Sequence, residues 1–237
     1  MENIKIIAFD ADDTLWVNET YFLETEEQFC ELLKDYLPAK EVSKELFKTE
    51  IENIEIYGYG VKAYILSMIE TLTRITKNDA SLDLVNKVIE LGKDLSKKPV
   101  ELIDGVEEVL KALYNKYILI LATKGDLLDQ ERKLKKSGLG KYFRHVEIMT
   151  EKKKENYENL IKKINCDPKN FLMVGNSPKS DILPVLELGG NAIHIPFKTT
   201  WAHEEISDKE NVDFMKLKNI SHILEFYLII NSNKSRF

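Results

Sequence analysis

Cysteine and histidine are scarce in this sequence, with two of the first and four of the second in 237 residues. Cys30 and Cys166 lie far apart and neither belongs to a Cys-x-x-Cys pair. A disulfide framework and a zinc site are therefore not expected, and both thiols are read as structural or incidental. His145 and His222 have no acidic or cysteine company at metal-ligand spacing, and His194 is read as a sheet residue. Long apolar runs are missing as well. No stretch reaches the roughly 18 apolar residues of a membrane-spanning helix, so no membrane partner is expected. The N-terminal MENIKIIAFD lacks the basic start, long apolar stretch and small-residue cleavage site of a secretion signal, and cytoplasmic residence is the expectation. A basic excess is absent too: the net charge is −6, which argues against a nucleic-acid partner. There is no internal repeat and no low-complexity linker, and the polar NSNKSRF at 231–237 is expected to fray.

What the chain does have is a set of short β-branched and aliphatic runs typical of buried parallel strands. They are IKIIAFD (4–10), YILILAT (117–123), HVEIMT (145–150), FLMVGN (171–176) and AIHIPF (192–197). Helical spacing fills the later intervals, as in Leu127, Leu128 and Leu134, then Asn156, Leu160, Ile161 and Ile164. Alternating strands and helices predict an α/β fold with a doubly wound parallel, Rossmann-like sheet. The first interval differs. Residues 17–97 carry three helical patterns and no convincing strand. That is too much chain for one crossover helix, so the spacing predicts a helical insertion at 17–97 within a core formed by 1–16 and 98–237.

Open α/β sheets bind ligands beyond the carboxyl ends of their strands. Those ends carry Asp10 and Asp12, Thr123 with Lys124, the segment from Thr150 to Lys154, and Asn176 to Asp181. In DADDT (10–14), two carboxylates one residue apart let Asp10 attack an electrophile while Asp12 handles the proton. Thr14 can tie down the turn. A Mg²⁺ ion there would neutralise phosphoryl oxygens and let the anionic Asp10 approach. Thr123, with the N–H groups that follow and Gly125 permitting a tight turn, can hold a phosphate oxygen. Among Lys152, Lys153 and Lys154, the first lies nearest its strand and is favoured as the fixed cation beside the reacting aspartate. MVGNSPKSD (173–181) offers Asn176 and Asp181 as oxygen ligands for Mg²⁺. Trp201 and His203 lie on a loop at the same sheet edge, and Tyr57 and Tyr59 flank Gly58 in a turn.

In this order, at consecutive strand ends and with a helical insertion after the first, DxDxT, the strand-terminal Thr, the Lys and GNSxxSD resemble the haloacid dehalogenase-like superfamily over nearly the whole chain. The resemblance implies Asp10 as nucleophile, Asp12 as acid/base, and Thr123 and Lys152 as the phosphate-binding pair, with Lys124 beside them. It implies Mg²⁺ held around Asp10, Asp12, Asn176 and Asp181, and it makes the insertion a cap that closes over a small phosphorylated metabolite. The chain departs from the family pattern at Asn176, where an acid is usual. The expected activity is a phosphatase. A carbon–halogen hydrolase has no need of Asp12, and a non-catalytic phosphate-binding module has only Asn176 in its favour.

Overall fold

The computed structural model describes residues 3–204 and 213–225, so the NSNKSRF tail lies outside the described residues. Among the described residues, six strands form one parallel sheet: β1 (Ile6–Phe9), β2 (Ile118–Lys124), β3 (His145–Met149), β4 (Phe171–Gly175), β5 (Asn191–His194) and β6 (Met215–Lys216), in the order β3-β2-β1-β4-β5-β6. The five apolar runs of the sequence are the first five strands. The sixth is a two-residue edge strand, too short to leave an apolar run. Strand β1 is central, with Ile6 beside both Ile118 and Phe171.

Period-two alternation sends successive side chains of β1 to opposite faces. Ile7 and Phe9 join Leu119, Leu121, Leu172 and Val174 on one face, which is covered by α5 (Val106–Tyr114) through Val106, Val109, Leu110 and Leu113. Ile6 and Ala8 join Ile120, Ala122, Phe171 and Met173 on the other, where α7 (Lys154–Lys163) contributes Tyr157, Leu160 and Ile161. Burial on both faces explains why these strands read as continuous apolar runs.

The described residues fall into two compact units. One holds the chain up to Val17, Val100–Lys124 and the residues from Arg132 on; the other holds Asn18–Pro99 with Gly125–Glu131. The sequence alone assigned the last of these segments to the α/β core. The second unit is helical: α1 (Glu19–Leu32), α2 (Ala39–Tyr57), α3 (Val61–Ile75) and α4 (Leu82–Lys97). It has a core of its own, formed by Phe29, Leu33, Val42, Leu46, Met68, Leu72 and Val88, all without exposed surface. Polar pairs add to the α2–α3 contact: Thr71 donates to Thr49 at 3.0 Å, and Asn53 Nδ2 donates to Ser67 Oγ at 3.1 Å. Gly92 marks a close approach of α4 to α3, since a Cβ there would lie 2.1 Å from Ile65 Cγ1. Helix α6 (Leu127–Ser137) follows β2, and the short α8 (Leu183–Leu186) precedes β5. Among the described residues no helix is long and apolar enough to cross a membrane.

Met68 is fully buried in the middle of α3. Met68→Ala is expected to destabilise the helical unit by about 2–5 kcal/mol, the usual cost of a large-to-small change in a packed interior. Urea denaturation checks this, and a loss below about 1 kcal/mol would contradict the packing described.

Candidate active site

Asp10 is the first residue beyond β1, and its N–H still donates to the Val174 carbonyl at 2.9 Å. The chain then turns sharply. The Ala11 carbonyl accepts from the N–H groups of Thr14, Leu15 and Trp16, and Asp13 adopts a left-handed φ of 58°. Asp and Asn tolerate that region better than most residues. The turn places the Asp10 carboxylate among the buried polar residues Thr14, Lys152 and Asp181 beyond the strand.

Lys152 reaches that carboxylate from the segment preceding α7. Its ammonium donates to Asp10 Oδ1 and, at 2.7 Å, to Asp181 Oδ1. Lys152 is 3% exposed and Asp181 1%, so this is a buried carboxylate–ammonium–carboxylate triad. Of the three consecutive lysines only Lys152 is buried, while Lys153 and Lys154 lie on the surface. Burial raises the Asp10 carboxyl to about 7 against the lowering pull of Lys152, and Asp181 adds to the rise. Burial alone would favour the neutral amine of Lys152, but the two carboxylates outweigh it and push its pKa up.

Asp181 is held from every side. Its Oδ2 accepts the Ser177 N–H at 3.0 Å, and Tyr157 OH lies 3.5 Å from Oδ1 while donating to the Ser180 carbonyl at 3.0 Å. Asp181, expected as a metal ligand, carries Lys152 on Oδ1 and the Ser177 N–H on Oδ2. Gly175 makes room for it, because a Cβ there would lie 2.2 Å from Asp181 Oδ2.

Asn176 turns one end of its carboxamide to three oxygens: Asp10 Oδ2 and Thr14 Oγ1 at 3.2 Å and the Asp12 carbonyl at 3.3 Å. Three acceptors make that end the NH₂, an assignment set by the hydrogen-bond network. Thr14 Oγ1 also lies 3.4 Å from Asp10 Oδ2. The side chain of Asp12 goes elsewhere. Lys133 of α6 forks onto its two oxygens at 2.7 and 2.8 Å, and Trp16 Nε1 donates to Oδ1 at 2.6 Å. Only the backbone carbonyl of Asp12 faces the Asn176 amide, so its carboxylate is not gathered with the other expected metal ligands.

The sequence matches the family described as haloacid dehalogenase-like hydrolase over residues 4–189. A haloacid dehalogenase-like family hydrolase from Xanthomonas campestris is 32% identical, with a TM-score of 0.86 over 99% of this chain and 94% of that one. This chain belongs to the haloacid dehalogenase-like hydrolases. Structures sharing the fold include a predicted phosphoglycolate phosphatase from Haemophilus somnus 129pt, 18% identical with a TM-score of 0.64 over 95% of this chain and 98% of that one. They also include a 2-haloacid dehalogenase from Pseudomonas syringae pv. tomato DC3000, 16% identical with a TM-score of 0.63 over 95% and 99%. No curated protein matches the sequence at a significant level.

A second polar cluster of this haloacid dehalogenase-like hydrolase lies at the same sheet edge. Glu204 ends the short 3₁₀ turn Ala202–Glu204, is 8% exposed, and accepts from Lys124 Nζ, Ser177 Oγ and Ser180 Oγ. Burial alone would raise its carboxyl, but Lys124 and the two hydroxyls overcome that and bring it down to about 2. Lys124, expected to hold substrate, thus has its ammonium on Glu204 and, at 3.1 Å, on Ser180 Oγ. Thr123 is buried at the end of β2, with its hydroxyl 3.5 Å from the Lys124 carbonyl. The rings of Trp201 and His203 meet at a tilt with centroids 4.9 Å apart, and Lys179 donates to the His203 carbonyl. His194 contacts the Asn176 carbonyl at 2.9 Å, and His145 pairs with Glu147 at 2.7 Å. The sequence reading missed Glu204, Lys133 and Tyr157. Tyr157 sat in view one helical turn after Lys153, whereas the other two meet their partners only through long-range folding.

Replacing Lys152 by Met should leave Asp10 and Asp181 buried without their cation. The expected cost is about 3–5 kcal/mol at neutral pH, the usual loss when one partner of a buried ion pair is removed. The buried Asp10 carboxyl, already raised to about 7 beside Lys152, would then titrate higher still in the folded than in the unfolded chain. The folded state would bind more protons as pH falls, so the destabilisation should shrink from pH 8 to pH 5. Chemical denaturation at both pH values checks this, and a pH-independent loss would contradict the triad.

Proposed function

We propose that this hydrolase is a Mg²⁺-dependent phosphatase that acts on a small phosphorylated metabolite through an aspartyl-phosphate on Asp10. The observation that carries the reading is the Asp10 carboxylate, buried at the end of β1 with the ammonium of Lys152 on one oxygen, two residues from a second carboxylate on the same turn. An Asp10 oxygen attacks phosphorus, and the bond to the leaving oxygen breaks as Asp12 supplies its proton. Water then attacks phosphorus, Asp12 takes a proton from it, and the Asp10–phosphorus bond breaks to release phosphate. Lys152 remains beside the reacting carboxylate and offsets its charge throughout. Asp12 must leave its fork with Lys133 to meet the leaving oxygen.

Asp10 Oδ2 and the Asp12 carbonyl both face the Asn176 carboxamide, and with the amide turned to present its oxygen the three would be hard donors of the kind Mg²⁺ takes. The ion supplies charge neutralisation at the phosphoryl oxygens when bound. The set carries one formal charge, fewer than an acid in place of Asn176 would give. The helical unit at Asn18–Pro99 is read as a substrate-selecting cap, which its separate core supports.

A dehalogenase reading has one observation in its favour: the Asn176 NH₂ already engages Asp10 Oδ2, as a site working without a cation would require. Asp12 weighs against it, because a departing halide needs no proton. Hydrolysis of p-nitrophenyl phosphate, lost on adding EDTA and restored by Mg²⁺, is the expected result. Halide release from 2-chloropropionate that is indifferent to EDTA would reverse the choice. Asp10→Asn should keep the fold and reduce turnover to below about 1%, since a neutral amide does not attack phosphorus.

Asn176→Asp adds a charge beside the ion but also faces Asp10 Oδ2 at close range. Attraction to a divalent ion should win narrowly, lowering the half-saturating Mg²⁺ by about tenfold, or about 1.4 kcal/mol. Asn176→Ala should raise it. Equal half-saturation in all three proteins would remove Asn176 from the ion's surroundings.

A further inference from the structure

We propose that Glu204 is a positioning residue for the catalytic loops, holding the end of β2 and the turn after β4 in one fixed arrangement. Each of its three donors is the immediate neighbour of a residue at the site. Lys124 follows Thr123, Ser177 follows Asn176, and Ser180 precedes Asp181. The Glu204 carboxylate is the common acceptor that joins these two separate segments.

Its reach continues inward through bonds already described. Ser177 Oγ, while donating to Glu204, accepts the Ser180 N–H at 3.0 Å and so closes the turn over Pro178–Ile182. The Ser177 N–H donates to Asp181 Oδ2, and the other oxygen of Asp181 holds Lys152 against Asp10. An unbroken run of hydrogen bonds therefore leads from Glu204 to Asp10. A carboxylate suits the position because it is acceptor-only and can receive an ammonium and two hydroxyls together. An amide of the same shape would have to turn an NH₂ toward one of those donors.

Glu204→Gln tests this through amide hydrogen exchange at Ser177 and Ser180, with the β4 amides of Phe171–Gly175 as the internal reference. Both amides should exchange at least about tenfold faster than in the wild type relative to β4, as expected when their local closure is loosened without global opening. The kinetic companion rests on the phosphatase reading. Turnover of p-nitrophenyl phosphate should fall by about 10–100-fold with KM within about threefold, the scale typical of outer supporting residues. Glu204→Asp, which keeps the charge on a shorter arm, should recover part of both. Unchanged exchange at Ser177 and Ser180 would overturn the proposal, as would acceleration shared equally with β4. If Glu204→Gln does not fold, Ser180→Ala removes one donor, and the Ser177 amide is read in the same way. A wild type without phosphatase activity would sink the function proposed above and leave the exchange comparison to decide the role of Glu204.

Discussion

The ammonium of Lys152 between Asp10 and Asp181 is the constraint around which the site is built. Two carboxylates buried side by side repel each other and lose their hydration, and the cation between them offsets both costs. Almost everything near them answers that demand. Gly175 leaves space for Asp181, the Ser177 N–H donates to its Oδ2, and Thr14 and Asn176 cover the far oxygen of Asp10. The parallel sheet supplies the common edge. β1 and β4 are neighbours in register, so Asp10 and Asn176 emerge side by side although the chain separates them widely.

Such a site is preorganised through layers. Asp10 does the proposed chemistry, Lys152 and Asp181 fix its charge and direction, and Glu204 stands behind Ser177 and Ser180. Asp12 stands apart. Its carboxylate is clamped by Lys133 and Trp16, so the proton-transfer role proposed for it requires a side-chain rotation.

Much of this was legible in the sequence, and the reasons are physical. Strands buried on both faces leave apolar runs, and polar residues at their ends stand out against them, which is how Asp10, Lys152, Asn176 and Asp181 were found. Lys152 separated itself from Lys153 and Lys154 by lying nearest the strand. What local pattern does not encode is direction. Nothing in DADDT says that the two carboxylates diverge, the first toward Lys152 and the second toward Lys133. Nor does GNSPKSD say that its last acid holds a lysine. Glu204 was hidden for a related reason: in TTWAHEE the histidine and tryptophan drew attention, yet the buried carboxylate carries the contacts.

The position of β1 bears on how the chain comes to be folded at all. Ile6 pairs with Ile118 and Phe171, so the central strand meets its two neighbours only across long stretches of intervening chain. Contacts of such long sequence separation are slow to form and leave apolar edges open meanwhile. The helical unit lies wholly within that interval, apart from Gly125–Glu131, and its local contacts can form early. The helices would then assemble while β1 waits, and the buried Asp10–Lys152–Asp181 cluster would be among the last parts of the molecule to form.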